Sequence, residues 1–125
     1  YCLSLGFWGF CGIDVLFDKS GQGYLVDLNP RVTGSCPSLM VAQLFQDKYG
    51  FEYGLFRRNG DNCFYGTERE LFERVEEHNA TQDTKVVVFS CCEVHSQATK
   101  VNLGVYGHDI EECKRVVNTF AKPNL

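Results

Sequence analysis

The stretch that decides the fold of the N-terminal part is GIDVLFDKSGQGYLVDLNPR, which spans residues 12–31. Apolar side chains recur at every second position on both sides of a short segment, 19–22, that contains a glycine. Period-two runs around such a connection are typical of two antiparallel strands. We therefore predict a β-hairpin with a four-residue loop.

The apolar residues of the two strands predict the register of this hairpin. They must share one face, because a slip of one residue would turn one strand's set to the other side. The pairs that satisfy this condition are Ile13 with Leu28, Val15 with Val26 and Phe17 with Tyr24. In that register Asp14 lies directly opposite Asp27 on the second face, with Cβ atoms about 4.5–5.5 Å apart.

The second face of the predicted hairpin carries the polar chemistry. Two carboxylates directly opposite repel each other, and a shared proton or a bound cation relieves that repulsion. Asn29 continues the face of Asp27, and Arg31 follows behind Pro30, which keeps the backbone extended. Oxygen ligands suit Mg²⁺ or Mn²⁺, and a guanidinium suits phosphate oxygens held by that metal. We predict a metal site; the alternative is the solvated polar face of an amphipathic hairpin.

The same residues resemble the carboxy-terminal metal-binding segment of the ATP-grasp superfamily, which includes biotin carboxylase, carbamoyl phosphate synthetase and the carboxylate–amine ligases. The family pattern is an acidic residue on one strand and acid-x-Asn-x-Arg on the next. Asp14 matches the first part, and DLNPR at residues 27–31, continued by VTGS at 32–35, matches the second. The family more often has Glu at both acidic positions. The resemblance covers residues 5–45, about a third of the chain.

This resemblance implies a role for each polar residue of the hairpin. Asp14 and Asp27 would bind Mg²⁺ or Mn²⁺, with Asp27 bridging two ions and Asn29 completing the second site. Arg31 would be the catalytic residue, in contact with the terminal phosphate of ATP or with an acyl phosphate. The implied activity is transfer of the γ-phosphoryl group of ATP to a small-molecule carboxylate, followed by attack of a nucleophile.

ATP-grasp enzymes also need a lysine-bearing strand and a flexible Gly-rich loop upstream of this segment, and neither is recognisable here. The chain begins at Tyr1 and shows no secretory leader, so we expect a fragment of a cytoplasmic ligase whose other half lies upstream. Residues 1–49 would be the metal-binding segment, and residues 50–125 an α+β continuation of unknown role. The isolated chain would be inactive. The alternative is a non-catalytic ATP-grasp-like domain that binds metal or nucleotide, or serves assembly.

Composition limits the partners. Twelve Lys and Arg against sixteen Asp and Glu give a net charge of −4, which argues against a nucleic-acid module. No apolar stretch approaches the roughly 18 residues of a membrane-spanning helix. The expected partners are therefore ATP and a small carboxylate, with neither nucleic acid nor membrane. The seven cysteines are odd in number and scattered, which indicates free, largely buried thiols in a reducing cytosol.

The remaining pattern predicts an α+β fold, with an antiparallel, hairpin-based sheet packed with about three helices as in the C-terminal part of an ATP-grasp fold. Thr67 and Glu70 have capping-box spacing, and Asp109 and Glu112 repeat it. We expect buried stripes on the two helices that these boxes open, formed by Leu71, Phe72, Val75, Ile110, Cys113, Val117 and Phe120. The other predicted elements are a helix over 37–48 and strands over 51–57, 85–94 and 101–105.

Two further groups of residues suggest chemistry. Cys91, Cys92 and His95 allow a zinc interpretation, but a structural zinc site needs four ligands in two close pairs, and the chain offers no second pair. Free thiols beside a satisfied or exposed histidine are the simpler interpretation. Cys36 stands at the predicted start of a helix, where the helix dipole would lower the pKa of its thiol. A role near the substrate is the alternative to a structural one.

Overall fold

The computed structural model describes residues 3–58, 62–95 and 97–123. Three α-helices and two antiparallel sheets lie in these ranges, which confirms the predicted α+β class. Contacts within the chain divide it into two compact units, residues 1–36 and 37–125. The division of roles after residue 49 concerns function rather than contacts and stays a prediction. None of the helices in the described ranges is both long enough and apolar enough to cross a membrane.

The first unit contains the predicted hairpin, preceded by a single 3₁₀ turn at Leu3–Leu5. Strand β1 is Gly12–Phe17 and strand β2 is Gly23–Asn29, and they pair antiparallel. At the open end the predicted register is confirmed, since Ile13 lies opposite Leu28 and Asp14 lies opposite Asp27. Nearer the loop it is wrong by one residue. Val15 pairs with Leu25 and Phe17 with Gly23, where Val26 and Tyr24 were predicted.

The loop explains this shift. The amide of Asp18 donates to the carbonyl of Gln22 at 3.0 Å, so only three residues, rather than four, lie between the two ends. Gly21 has φ +84°, which a glycine adopts without strain and which three-residue hairpin loops commonly need. The Asp18 carboxylate accepts from the amides of Ser20 at 2.8 Å and Gln22 at 3.0 Å, and holds the turn closed. The register then shifts by one residue between Asp14 and Val15, which leaves Val26 as the extra residue of a β-bulge.

The second unit is built on a five-stranded antiparallel sheet. Its long central strand, β6, pairs with β5 along one edge and with both β3 and β4 along the other, and β7 lies beside β4. From β4 onward the order is βαββαβ with spatial order β7-β4-β6-β5, the ferredoxin-like arrangement. The elements are α1 (Cys36–Tyr49), β3 (Tyr53–Arg57), β4 (Asn62–Phe64), α2 (Glu68–Thr81), β5 (Lys85–His95), β6 (Ala98–Gly107), α3 (Ile110–Phe120) and β7 (Lys122–Pro123).

Helices α2 and α3 pack on one face of this sheet and enclose the core. The fully buried side chains that meet there include Leu71 and Phe120 from the helices and Val101, Leu103 and Val105 from β6. The predicted stripes are confirmed at Leu71, Val75, Cys113, Val117 and Phe120. Phe72 was predicted wrongly. It is 41% exposed, because one residue beyond Leu71 on a helix points about 100° away from the core. Ile110 is only partly buried, and Val116 takes a buried position that the pattern did not predict.

Both helix starts have the predicted N-cap residue. The capping box of Thr67 and Glu70 is confirmed, with each side chain bound to the other residue's backbone amide. At α3 the side chain of Asp109 accepts from the amide of Glu111 at 2.8 Å. The reciprocal role predicted for Glu112 is wrong, since its carboxylate forms an ion pair with Arg115 one turn further on.

Tyr106 lies on the opposite face of the sheet, where α1 packs. Its ring needs the space that two glycines leave, because a Cβ on Gly54 would lie 2.9 Å from the ring, and one on Gly104 would lie 2.7 Å from the hydroxyl. The hydroxyl donates to the carbonyl of Ser38 at 3.0 Å, and the ring of Phe45 meets it edge to face at 5.2 Å. Tyr106 thereby joins α1 to β6, and burial raises its pKa to about 12.

Candidate functional site

The polar face of the first unit's hairpin brings together the residues that the sequence singled out. Asp14 on β1 and Asp27 on β2 are directly opposite in the strand register, and both side chains are exposed. Directly opposite residues of an antiparallel pair share a face, and like charges in that position destabilise it. Asn29 lies two residues beyond Asp27, opposite Gly12, and therefore on the same face. The bulge at Val26 lies on the loop side of these residues and does not separate them.

A chain of hydrogen bonds runs along this face from Asp27 to Arg31. The side-chain amide of Asn29 donates to Asp27 Oδ2 at 2.9 Å, and its carbonyl oxygen accepts from Arg31 Nη2 at 3.2 Å. Asp27 Oδ1 accepts from the amide of Leu28 at 2.9 Å. The backbone amide of Arg31 donates to the carbonyl of Asn29 at 2.8 Å, which turns the chain back beside the strand end. Hydrogen bonds thus link the carboxylate of Asp27, the amide of Asn29 and the guanidinium of Arg31 in one row.

Thr33 fixes the end of this face, and the sequence pattern gave it no role. A Cβ on Gly12 would lie 2.5 Å from Thr33 Cγ2, so only a glycine lets that methyl group pack against the hairpin. The Thr33 hydroxyl is 3.2 Å from Ser35 Oγ and 3.5 Å from Cys36 Sγ, and the Thr33 carbonyl accepts from the amide of Cys36 at 3.0 Å. The glycine at position 12, directly before the alternating strand, is the sequence signal that could have shown this packing.

Cys36 has a lowered pKa, as its place at a helix start led us to expect, but the cause differs. Hydrogen bonds from the Thr33 side chain and then from the Thr33 backbone stabilise the thiolate and lower the pKa, and partial desolvation opposes them. The thiol is partly exposed. The structure therefore places a thiol with increased thiolate character five residues beyond Arg31, within the same unit.

The donor set of the hairpin is suited to a hard divalent cation. It consists of carboxylate and amide oxygens, which fit Mg²⁺ or Mn²⁺ and are unsuited to a soft metal. Asn29 could join the set only by releasing Arg31 from its carbonyl oxygen, since that oxygen now accepts from the guanidinium. No cluster of three or more His, Cys, Asp and Glu side chains that could hold a metal is found among the described residues. The polar face supplies two such carboxylates, Asp14 and Asp27, so further ligands would come from Asn29, from water or from a bound phosphate.

The zinc interpretation of the second unit's β5 finds no support. Cys91 is partly buried, and that burial raises the pKa of its thiol to about 11, so that it is protonated at neutral pH. Cys92 and His95 are exposed. The prediction of free thiols is confirmed for the described cysteines. Of these, only Cys63 and Cys113 are buried, which is fewer than predicted. Cys2 lies outside the described residues.

No family model matches the chain, and no solved structure matches it. A functional assignment therefore depends on the geometry of residues 12–36 and on the resemblance that they carry.

Proposed function

We propose that the first unit is the metal- and phosphate-binding hairpin of an ATP-grasp-type ligase, which activates a carboxylate with Mg-ATP for ligation to a nucleophile. The observation that carries this proposal is the pairing of Asp14 with Asp27 across the two strands. An exposed hairpin gains nothing from two like charges held opposite each other. A divalent cation between the two carboxylates would attract both of them, and this would explain why the chain places them opposite each other.

Each residue of the polar face then has a role in the proposal. Asp14 and Asp27 would hold Mg²⁺ or Mn²⁺, with Asp27 shared between two ions and Asn29 on the second. When bound, the metal ions neutralise phosphate charge and align the terminal phosphoryl group. Asp27 already has one oxygen held by Leu28 and the other by Asn29, so its carboxylate is oriented before any ligand arrives.

Arg31 would bind the transferred phosphoryl group. Its guanidinium bonds to the neutral amide oxygen of Asn29 at 3.2 Å and to the carbonyl of Val32 at 3.4 Å. The described residues give it no carboxylate partner within salt-bridge distance. Both bonds are long and involve neutral acceptors, so a phosphate oxygen is a stronger partner than either. A guanidinium available in this way suits charge that develops during phosphoryl transfer.

The rest of the nucleotide site would be supplied by an upstream segment of the same ligase. The apolar side chains of the hairpin are exposed in the structure, with Ile13 at 57% and Phe17 at 72%. A two-stranded hairpin is marginal by itself and needs a covering layer or more strands. We propose that the lysine-bearing strand and Gly-rich loop of the upstream half supply this cover, in a cytoplasmic enzyme acting on ATP and a small carboxylate.

Binding of Mn²⁺ tests the hairpin's part of the proposal directly. Electron paramagnetic resonance measures free Mn²⁺ as the chain is added without ATP. Equilibrium dialysis of ATP in the presence of Mn²⁺ measures how much Mn-ATP the chain binds. We expect binding that Asp27→Asn abolishes and Asp14→Asn weakens, while Arg31→Ala leaves Mn²⁺ binding intact and weakens only the binding of Mn-ATP. Asp47→Asn, an exposed acid of α1 that bonds to Gln43, is the matched control. Binding that is equal in wild type and Asp27→Asn would overturn the metal site.

The activity itself is tested on a longer protein. The chain alone should release no phosphate from ATP with any carboxylate and amine, since positioning a phosphoryl group needs both sides of its site. The natural gene product with its upstream sequence should do so, and Arg31→Ala in that protein should remove the activity. If the full product binds Mn-ATP but never turns it over, a non-catalytic nucleotide-binding domain is the better assignment.

A further inference from the structure

A cleft of about 370 Å³ lies between α2 and α3 in the second unit. Clefts of about 300–1,000 Å³ are the usual size of small-molecule sites. Val116 and the ring of Phe120, which is 2% exposed, form its apolar base. A ligand that entered between the helices could therefore place an apolar group against the edge of the core.

His78 forms one wall of the cleft, and its pKa is lowered from the ordinary value of 6.5. Its Nε2 lies 2.9 Å from the hydroxyl of Thr84, and its ring meets Phe120 edge to face at 5.6 Å. Burial lowers its pKa, and the positive charges of Lys85 and Arg74 lower it further, against the opposing effect of Glu112. The charge of the cleft is therefore set by the arginines and glutamates that line it.

Two positive and two negative side chains line the cleft, so that its formal charge is zero. Arg115 and Glu112 already form an ion pair with each other. Arg74 instead places its guanidinium 5.6 Å from the centre of the Phe120 ring, and neither it nor Glu77 has a salt bridge among the described residues. One cation and one anion, neither of them in a salt bridge, thus lie one helical turn apart at the mouth of a largely polar cleft whose base is apolar.

We propose that this cleft binds a small zwitterion of the α-amino acid class that carries an apolar or aromatic side chain. The carboxylate of the ligand would pair with Arg74 and its ammonium group with Glu77, while the side chain lies toward Phe120. A phosphate or other polyanion fits less well, because Glu77 and Glu112 would repel it. This site lies in the second unit and does not depend on the function proposed for the hairpin.

Three probes with the same benzyl side chain and different charges test the proposal by isothermal titration calorimetry on the whole chain. L-Phenylalanine has both charges, N-acetyl-L-phenylalanine keeps only the carboxylate, and L-phenylalanine amide keeps only the ammonium group. We expect one molecule of L-phenylalanine, or of L-leucine as a second zwitterion, to bind each chain. The dissociation constants of the two singly charged probes should be at least about tenfold higher than that of L-phenylalanine, since each probe lacks one charge-assisted hydrogen bond.

Matched variants locate the binding. Arg74→Gln should weaken L-phenylalanine binding about tenfold or more. Arg69→Gln, on the same helix but paired with Glu73 and outside the cleft, should leave it unchanged. Glu77→Gln should abolish the preference for the zwitterion over the N-acetyl probe, while Glu76→Gln should not.

The proposal is overturned if neither L-phenylalanine nor L-leucine binds with a dissociation constant below about 10 mM. Equal binding of all three probes, or binding insensitive to both cleft variants in folded protein, also overturns it.

Discussion

Asn79 holds the backbone of Val86 through two hydrogen bonds. The amide nitrogen of the Asn79 side chain donates to the Val86 carbonyl at 2.8 Å, and the Val86 amide donates to Asn79 Oδ1 at 2.7 Å. Val86 lies near the start of β5, whose only paired edge in the described part of the chain is the one along β6. The side chain of Asn79 therefore acts as one residue of a neighbouring strand and ties the end of α2 to the free edge of the sheet.

Asn79→Ala should lower the free energy of unfolding by about 1–3 kcal/mol, because it leaves the buried amide and carbonyl of Val86 without a partner. Urea denaturation followed by circular dichroism measures this. Glu76→Ala, an exposed position on the same helix, is the control and should change the value by less than about 0.5 kcal/mol. Equal effects of the two variants would show that the paired hydrogen bonds contribute nothing net.

The contact between Gly12 and Thr33 can be tested by a double-mutant cycle. Gly12→Ala should destabilise the hairpin by about 1–3 kcal/mol, because the new Cβ would lie 2.5 Å from Thr33 Cγ2. Rotation of Thr33 would relieve the clash but would move its hydroxyl away from Cys36. Adding Thr33→Ser removes the methyl group and keeps the hydroxyl, so the double variant should recover most of the loss.

Hydrogen exchange of the β1 and β2 amides is the measurement for this cycle, since it reports on the hairpin separately from the second unit. Thr33→Ser alone is the reference for the loss of the methyl group. If these amides exchange as slowly in Gly12→Ala as in wild type, the packing of Thr33 does not restrict position 12.

The hairpin shows how far the sequence pattern could be followed. At the open end of the hairpin the alternation correctly predicted which side chains share a face, and that was enough to pair Asp14 with Asp27. Nearer the loop it did not, since Val15 lies opposite Leu25. The pattern could not show the bulge at Val26. The bulge depends on whether Gly21 adopts a positive φ and closes a three-residue loop, and both loop lengths are compatible with the same alternation.

In the second unit, the sequence predicted features that act within one helical turn. It did not predict very short strands or the packing of distant elements. The capping box of Thr67 and Glu70 acts within one turn, and its residue types suffice to identify it. Strands β4 and β7 have three and two residues, too few for any periodicity, so the ferredoxin-like order could not be predicted. The cleft between α2 and α3 likewise depends on how two helices pack. No spacing within either helix could place Arg74 beside Phe120, which lies on the other helix.

The lowered pKa of His78 predicts how stability changes with acid. In the unfolded chain this histidine titrates near its ordinary value of 6.5, whereas burial lowers the pKa in the folded protein. Below pH 6.5 the unfolded chain therefore binds the proton first, and the free energy of unfolding falls until the pH reaches the folded pKa. The contribution of His78 is fully present above pH 6.5.

His78→Gln should flatten the loss of stability on acidification between neutral pH and the folded pKa. Urea denaturation at a series of pH values measures the slope for wild type and variant. His95→Gln removes an exposed imidazole from β5 and is the reference. An unchanged slope in His78→Gln, with the protein folded at neutral pH, would show that another group causes the acid sensitivity.

The hydrogen bonds of Thr33 to Cys36 predict a reactive thiol. Because they stabilise the thiolate and lower its pKa, Cys36 should reach half of its maximal rate of alkylation by iodoacetamide at a lower pH than it does without them. Thr33→Val removes the hydroxyl but keeps the branched shape and a methyl group against Gly12. In that variant the midpoint of the rate profile should move to higher pH.

Peptide mapping by mass spectrometry separates Cys36 from the other thiols, and the rate at exposed Cys92 in the second unit should be the same in both proteins. A midpoint that does not move in Thr33→Val would mean that the hydroxyl does not set the reactivity of Cys36, and the helix start would be the better explanation.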